Sequence, residues 1–414
     1  MNTTATDRRA NRTGLIAVIV VATVSLLGGL NATSAAAAPH HAQPSWGHGL
    51  RIDHADHSTA GISSVSCPTT TFCAAVDGSD HVMLFNGRHW SKPARHDSDP
   101  VGYTSVSCAS SQFCVAADSA GFIDTFNGSH WSLSLLDGEA TDDADEMSVS
   151  CPTTSFCAAV DTDGSEWIRT HGTWTGGPSA NALYSLSCAS PTFCVAGSNN
   201  GQGVTWNGSS WSSLVTIDSR SSQQILTVSC PSRSFCVAGG ADLTVWDGHK
   251  WLASRPVSPS DIESVACSSR MFCLAGDNSI GDVFRWNGSG WRLSIAFHDG
   301  ETVTSIACPS ATFCEAVGSS RKVHAYALAP SLVTSTLARA TRGHHYRIQL
   351  HAASGRAPYR WTKSSGSLPP GLRLSRAGVI SGVPTRAGSY RFAVRILDPL
   401  GLSSVHRLEL TVRR

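Results

Sequence analysis

The chain has 414 residues, with 31 Lys+Arg against 30 Asp+Glu, 41% hydrophobic and only 15% charged side chains. This is globular composition, which excludes a largely disordered chain and a protein of many membrane spans. The length suits two or three domains, or one large repeat domain with a further module.

The N-terminus carries Arg8, Arg9 and Arg12, then an uncharged apolar run from Leu15 to Leu30, then Ala35-Ala36-Ala37-Ala38-Pro39. A basic start, an apolar core and small residues at the end predict a signal peptide over residues 1–38. A retained signal anchor is the alternative, because Leu15 to Ala38 is 24 uncharged residues, enough to span a bilayer. Both readings put the remainder outside the cytoplasm, where cysteines oxidise.

The middle of the chain is a sevenfold repeat. SVSCPTTTFCAAVD from Ser64 recurs in variants from Ser105, Ser148, Ser185, Thr227, Ser264 and Ser305. The first cysteines are Cys67, Cys108, Cys151, Cys188, Cys230, Cys267 and Cys308, spaced 41, 43, 37, 42, 37 and 41 residues apart. The second, six positions later, are Cys73, Cys114, Cys157, Cys194, Cys236, Cys273 and Cys314, so seven pairs use all 14 cysteines. Downstream comes an apolar stretch, an Asn-Gly or Asp-Gly and a Trp, as in LFNGRHW ending at Trp90 and VWDGHKW ending at Trp251. Asn-Gly between alternating residues predicts a hairpin with a type I′ turn, whose two central residues both have φ > 0. The third repeat, RTHGTW ending at Trp174, is one residue shorter.

Each unit therefore reads as four short antiparallel strands: A (SVSC), B (FCAAVD), C (up to Asn-Gly) and D (from the Trp). Forty residues and four strands describe a β-propeller blade, and seven blades are within the usual range. The seventh repeat, with KVHAYAL over Lys322–Leu328, lacks the turn and the Trp. Trp46 lies 21 residues before Cys67, where other Trp-to-Cys intervals run from 14 to 20, so the segment around Trp46 is expected to supply strand D of the last blade. The cysteine pairs read as disulfides between strands A and B, each contributing roughly 2.4 kcal/mol by constraining the unfolded chain. Thiolate metal ligation is the alternative, but Cys-x5-Cys is not a usual zinc spacing.

At Ala329-Pro330 the composition shifts. Residues 330–414 hold no Cys and 14 Arg+Lys against two acids, Asp398 and Glu409, a formal +12. Residues 39–329 hold 14 basic and 27 acidic residues, a formal −13. Turn residues recur every 8 to 12 positions, and YRFAVRIL (390–397) alternates like a half-buried strand. The run Leu368-Pro369-Pro370-Gly371-Leu372, Gly378, Ile380-Ser381-Gly382, Pro384-Thr385, Ala387-Gly388, Tyr390, Phe392 and Asp398 resembles the immunoglobulin-like domain of cadherin and dystroglycan type found in bacterial surface proteins. That resemblance implies a spacer or adhesive module; some relatives bind calcium through clustered carboxylates, which this module lacks. The repeats in turn resemble secreted actinobacterial proteins with Cys-x5-Cys blades, a likeness that carries over no established activity. Only four of the 31 basic residues are Lys, in keeping with a high-GC bacterial genome.

The A–B and C–D turns are nearly uniform, while the B–C and D–A loops vary, and strand alternation puts these two sets on opposite faces. Function concentrates in variable loops on rigid scaffolds, so a ligand site is expected on the B–C/D–A face and at the central channel. The loop from Asp137 to Glu146 holds six carboxylates in ten residues, and Asp142, Asp143 and Asp145 within it are candidate Ca2+ ligands. Asp161 and Asp163 in Asp-Thr-Asp-Gly are two more; a solvated charge run is the plainer reading of both. Asp77, Asp118, Asp161 and Asp277 recur at the end of strand B, where Asp is a normal turn starter. The stretch around Gly164-Ser165-Glu166-Trp167 puts Thr162 where a sialidase Asp-box needs its Asp. No serine elbow, phosphate loop or zinc-protease motif occurs, so no catalytic residue is assigned.

The expected protein is all-β: a signal peptide (1–38), a seven-bladed β-propeller (39–329) and an immunoglobulin-like β-sandwich (330–414). The reading is a secreted or cell-surface monomer that binds an envelope glycan or protein. No cofactor is required, although Ca2+ is an option; no nucleic-acid partner is expected, and membrane association only if the signal is retained. The alternative is a polysaccharide lyase or glycoside hydrolase, which would place two carboxylates at ~5–10 Å around a central pocket.

Overall fold

A computed structural model describes residues 43–54, 60–95, 101–136, 146–179, 181–220, 223–297 and 301–414. The leader (1–38) and residues 137–145, with Asp142, Asp143 and Asp145, lie outside them. Among the described residues every regular element is a β-strand.

Seven antiparallel sheets form a β-propeller. Their innermost strands are Ile62–Thr69, Tyr103–Ser110, Met147–Thr153, Leu183–Ser190, Thr227–Ser232, Ile262–Ser269 and Val303–Ser310. Each packs beside the next, and Val303–Ser310 of blade 7 packs back against Ile62–Thr69 of blade 1. The second strands, such as Phe156–Asp161 and Phe272–Asp277, are buried along their whole length. They lie between two neighbouring blades, so they read FCAAV without alternation, and the small Ala residues let the sheets approach.

Blade 7 takes its outer strand from the other end of the chain. Pro44–Trp46 pairs antiparallel with Lys322–Leu328, placing Trp46 opposite Tyr326. In blades 1, 2, 4, 5 and 6 the aromatic residue before the turn packs at a tilt on the Trp after it, at 5.1 Å for Phe126–Trp131 and 5.6 Å for Trp206–Trp211. Trp46 and Tyr326 repeat that pairing at 5.3 Å across 280 residues (326 − 46).

All seven Cys-x5-Cys pairs are disulfides with Cα–Cα distances of 3.9 to 4.2 Å. No free cysteine remains.

The hairpin expectation needs correction. Phe85 pairs with Trp90, so Asn86–His89 forms a four-residue loop rather than a two-residue type I′ turn. Asn86 Oδ1 accepts the N–H groups of Arg88 (3.0 Å) and His89 (2.9 Å), and in the loop only Gly87 has positive φ. The asparagine side chain thus closes the turn that the backbone alone was expected to close. The I′ geometry occurs in blade 3, where Thr170 pairs with Thr173 and both His171 (φ 52°) and Gly172 (φ 95°) are left-handed. The outermost strands differ too: in blades 1 and 4 the Trp forms a single bridge, because the next residue, Ser91 or Ser212, accepts the N–H of Leu84 or Thr205 through its hydroxyl at 3.0 Å.

The C-terminal region is a β-sandwich. One sheet runs Ala340–Thr341, Ser403–Arg413, Gly388–Leu397, Arg360–Gly366; the other runs Tyr346–Gln349, Val379–Gly382, Leu372–Leu374. Trp361, Ile380, Phe392, Ile396 and Leu410 fill the space between them. The loop Asp398–Leu402 closes on Asp398, whose carboxylate accepts the N–H groups of Leu400 (3.0 Å), Leu402 (2.9 Å) and Arg356 (3.1 Å). Leu400 and Leu402 enter the core of blades 1 and 7 beside Ile52, Phe85 and Phe313. Gly401 (φ +79°) lies so close to His48 that a Cβ would meet its carbonyl oxygen at 2.6 Å.

Arg356 is the polar part of this junction. It donates to Gly87 O (2.8 Å) and Thr70 O, and its guanidinium lies over the rings of Phe313 (5.0 Å) and Phe85 (5.6 Å). Near it Glu315 is fully buried, with neither carboxylate oxygen hydrogen-bonded. Burial pushes its carboxyl up to about 8, with the charge of Arg356 opposing and that of Asp398 adding.

Candidate ligand-binding site at the mouth of the central channel

The repeated S-V-S-C is explained around the axis. Ser64 Oγ accepts the N–H of Val106 in the next blade (3.1 Å), and Ser66 Oγ that of Cys108 (2.9 Å). The first of these serines repeats the bond at Ser105–Val149, Ser148–Leu186, Thr227–Val265 and Ser264–Ile306. Ser305 takes the N–H of Val65 at 3.1 Å and so joins blade 7 to blade 1, while at blade 4 the tier changes and Ser185 Oγ donates to Ile225 O at 3.1 Å. The lower tier runs from Ser66, Ser107, Ser150, Ser187 and Ser229 to the cysteine N–H of the following blade, each at 2.9 Å. It stops at Ala266 and Ala307, which have no hydroxyl to offer. Channel-side N–H groups have no partner on their own sheet, and the neighbouring hydroxyl meets the need. Replacing Ser150 by alanine leaves the Cys188 N–H without its acceptor and is expected to cost about 1 kcal/mol in urea denaturation, twice the cost of the same change at an exposed serine such as Ser209.

Above these tiers, four residues before the first cysteine, five blades carry a bulge residue: Ser63, Thr104, Tyr184, Glu263 and Thr304. Ser63, Thr104 and Thr304 donate to the backbone carbonyls of Tyr103 (2.6 Å), Met147 (2.8 Å) and Ile62 (2.6 Å) in the following blades. Tyr184 and Glu263 are the two bulges with other chemistry, and bulges commonly re-aim side chains. Both line a cavity of about 530 Å³ at the channel mouth, together with Glu146, Met147, Asn278 and the upper serines. The cavity lies where the D–A loops deliver the innermost strands, on the face of the B–C loops. Burial pushes the Glu263 carboxyl up to about 7, with the nearby charge of Glu146 adding to the shift. At neutral pH this pair therefore offers carboxylate acceptors and, on part of the Glu263 population, an acid proton. Tyr103 Oη donates to the buried Asp124 carboxylate.

The carboxylates at the end of strand B are turn residues. Asp77 Oδ1 accepts the N–H groups of Ser79 and His81, Asp118 Oδ1 those of Ala120 and Phe122, all at 2.9 Å. Asp277 Oδ1 accepts from Ile280 and Gly281 at 3.0 Å. Asp161 is buried and its Oδ1 accepts the Ser165 N–H at 2.7 Å; burial pushes its carboxyl up. Asp163 is exposed on the same turn. The turn adjoins the acidic stretch, as the Glu146 N–H donates to Thr162 Oγ1 at 3.2 Å. Among the described residues, no group of three or more His, Cys, Asp or Glu is arranged to hold a metal.

Sequence reasoning did not single out Tyr184, Glu263 or the serine tiers. The signal for the first two is that, four residues before the first cysteine, they carry a phenol and a carboxylate where the other repeats carry Ser, Thr, Met or Leu.

Comparison with known proteins agrees with this architecture. The family model He_PIG, described as "Putative Ig domain", matches residues 329–413. No curated protein matches the chain in sequence. Similar solved structures include YCF48 from Cyanidioschyzon merolae (TM-score 0.53, 14% identity, 68% of this chain and 99% of that one). Another is YCF48 bound to D1 peptide (TM-score 0.54, 15% identity, 68% and 96%). A third is U3-55K (TM-score 0.54, 14% identity, 68% and 98%). These likenesses are in fold: a propeller, here carrying an immunoglobulin-like module at its C-terminus.

Proposed function

We propose that the protein is exported and acts as a binding protein of the cell envelope. The channel mouth recognises a hydroxyl-rich glycan, and the basic module holds an anionic wall polymer or lipid surface. The observation that carries this reading is the channel mouth itself. It is a polar cavity at the centre of a disulfide-stapled ring, where Tyr184, Glu263, Glu146 and Asn278 converge while neighbouring bulge residues are committed to backbone. An aromatic ring beside carboxylate acceptors and amide groups suits sugar hydroxyls and one sugar face. The module supports the second half. Arg339, Arg342, Arg347, Arg360, Lys363, Arg373 and further arginines are exposed, against one exposed carboxylate, Glu409, already paired with Arg391 at 3.0 Å. Such a surface attracts polyanions in a salt-dependent way. Ca2+ is the ion this reading would take, at Asp142, Asp143 and Asp145 or at Asp161 and Asp163.

The test is retention on immobilised wall polysaccharides between pH 6 and 8, with calcium or chelator and with low or high salt. Glycan retention is expected to change across pH 7 in the natural protein, to lose that dependence in Glu263→Gln, and to fall at least tenfold in Tyr184→Ala. Raised salt should release the polyanion-bound fraction alone. Retention that ignores both substitutions would remove the glycan from the channel mouth, and release of cleaved product would favour the hydrolase or lyase instead.

A further inference from the structure

We infer that the junction between blades 1 and 7 and the immunoglobulin-like module is a second binding site, for an anion carried on a single ring. A crevice of about 260 Å³ opens there. Its apolar wall is Ile52 and Phe85 of the propeller, Leu400 of the module, and Trp90, whose buried indole N–H has no acceptor among the described residues. Its rim carries Arg51, Arg88 and Lys92, with His54 and His89 beside them, and no described lining residue is acidic. The propeller as a whole is acidic by 13 charges, so five basic or imidazole side chains with no carboxylate among them are a local reversal. Among the described residues Arg88 and Lys92, both exposed, form no ion pair, while Arg51 is steered by donating from Nε to Asp53 O at 3.0 Å.

The volume lies just under the range for drug-sized ligands, which fixes the occupant at about one ring. The apolar wall asks for a ring or acyl body, and the rim asks for a carboxylate or phosphate on it, which Arg meets with paired donors. An acidic sugar and an aryl carboxylate share this chemistry. Both partners build the site: the closing segment brings Arg51 and Ile52, blade 1 brings Phe85, Arg88, Trp90 and Lys92, and the module brings Leu400. An occupant would therefore favour the docked arrangement of the two domains.

The experiment is calorimetric titration of the purified protein at low salt with galacturonate, galactose, benzoate and inorganic phosphate. Galacturonate or benzoate is expected to bind at least tenfold more tightly than galactose, and the better of the two identifies the source as sugar or aryl acid. The double variant Arg88→Ala/Lys92→Ala, confined to exposed side chains, should weaken that binding at least fivefold and reduce its salt dependence to that of Arg51 alone. Glu263→Gln should leave it unchanged, which separates this site from the channel mouth. Equal affinity for galactose, phosphate binding as tight as that of either ring acid, no binding by either ring acid, or indifference to the double variant would each overturn the inference.

Discussion

Trp46→Ala is expected to lower stability by about 3 kcal/mol, the usual scale for emptying a large aromatic site. The indole packs edge-on against Phe297 at 5.3 Å, lies over Tyr326 at 5.3 Å, and donates to Ser294 Oγ at 3.0 Å, joining blades 6 and 7. Position adds to contact. The outer Trp of blade 5, Trp251, stacks on Trp246 five residues away at 5.7 Å, so its neighbour stays close in the unfolded chain. Trp46 finds its partner 280 residues away (326 − 46), and closing a loop of that length costs roughly 5 kcal/mol in chain entropy. Few contacts offset that cost in the outer layer of blade 7: Pro44–Trp46, and Leu50–Arg51 pairing with Val323 and Lys322. Parallel urea titrations of Trp46→Ala and Trp251→Ala should show the larger midpoint shift for Trp46 and faster proteolysis between residues 43 and 54. Equal shifts would mean that closure rests on the innermost strands instead.

The second large effect is a fall in stability as pH rises towards 8. Glu315 occupies the position that Ala74, Val115, Ala158, Val195, Val237 and Leu274 hold in the other blades. Its folded-state pKa, about 8, lies above the ordinary value of 4.5, so between these values the folded protein holds a proton that the unfolded chain has released. By linkage, that contribution is complete below pH 4.5, declines through the interval and is gone above about 8. The interval of about 3.5 pH units corresponds to at most about 5 kcal/mol. The charged groups that bear on it are Arg356, which stabilises the carboxylate, and Asp398, which opposes it. Glu315→Val should flatten the slope of stability against pH between 5 and 8 and raise stability above pH 8. A natural protein whose denaturation midpoint is level across this interval would show that the carboxyl is ionised beside Arg356 throughout.

How much of this was legible beforehand depends on the range over which residues speak to one another. Cys67 and Cys73, or Phe85 and Trp90, meet within one unit, so their spacing showed strands, blade count and disulfides directly. The hairpin type was misread because Asn-Gly has two uses: left-handed backbone at both residues, or an Asn side chain that caps a longer loop. The serine tiers escaped because partners lie about 40 residues apart and carry the same letter in each repeat, so nothing local distinguishes an inter-blade acceptor from a strand residue. Arg356 was one arginine among 13 in its region, and its place over Phe85 and Phe313 follows from how two domains meet. The channel mouth was legible as a region, through loop variability, but its cavity residues Tyr184 and Glu263 depended on a bulge that no periodicity announces.

The serine tiers also say something about how such a ring is built. Each blade presents hydroxyl acceptors on one side and N–H donors on the other, so consecutive blades join front to back like subunits of a cyclic oligomer threaded on one chain. Directional joints of this kind leave neither a privileged first unit nor a built-in last one. The covalent break in this ring falls inside blade 7, between Lys322–Leu328 and Pro44–Trp46, and the appended domain inserts Leu400, Leu402 and Arg356 beside it. The appended domain is thus a clasp on the ring's own seam.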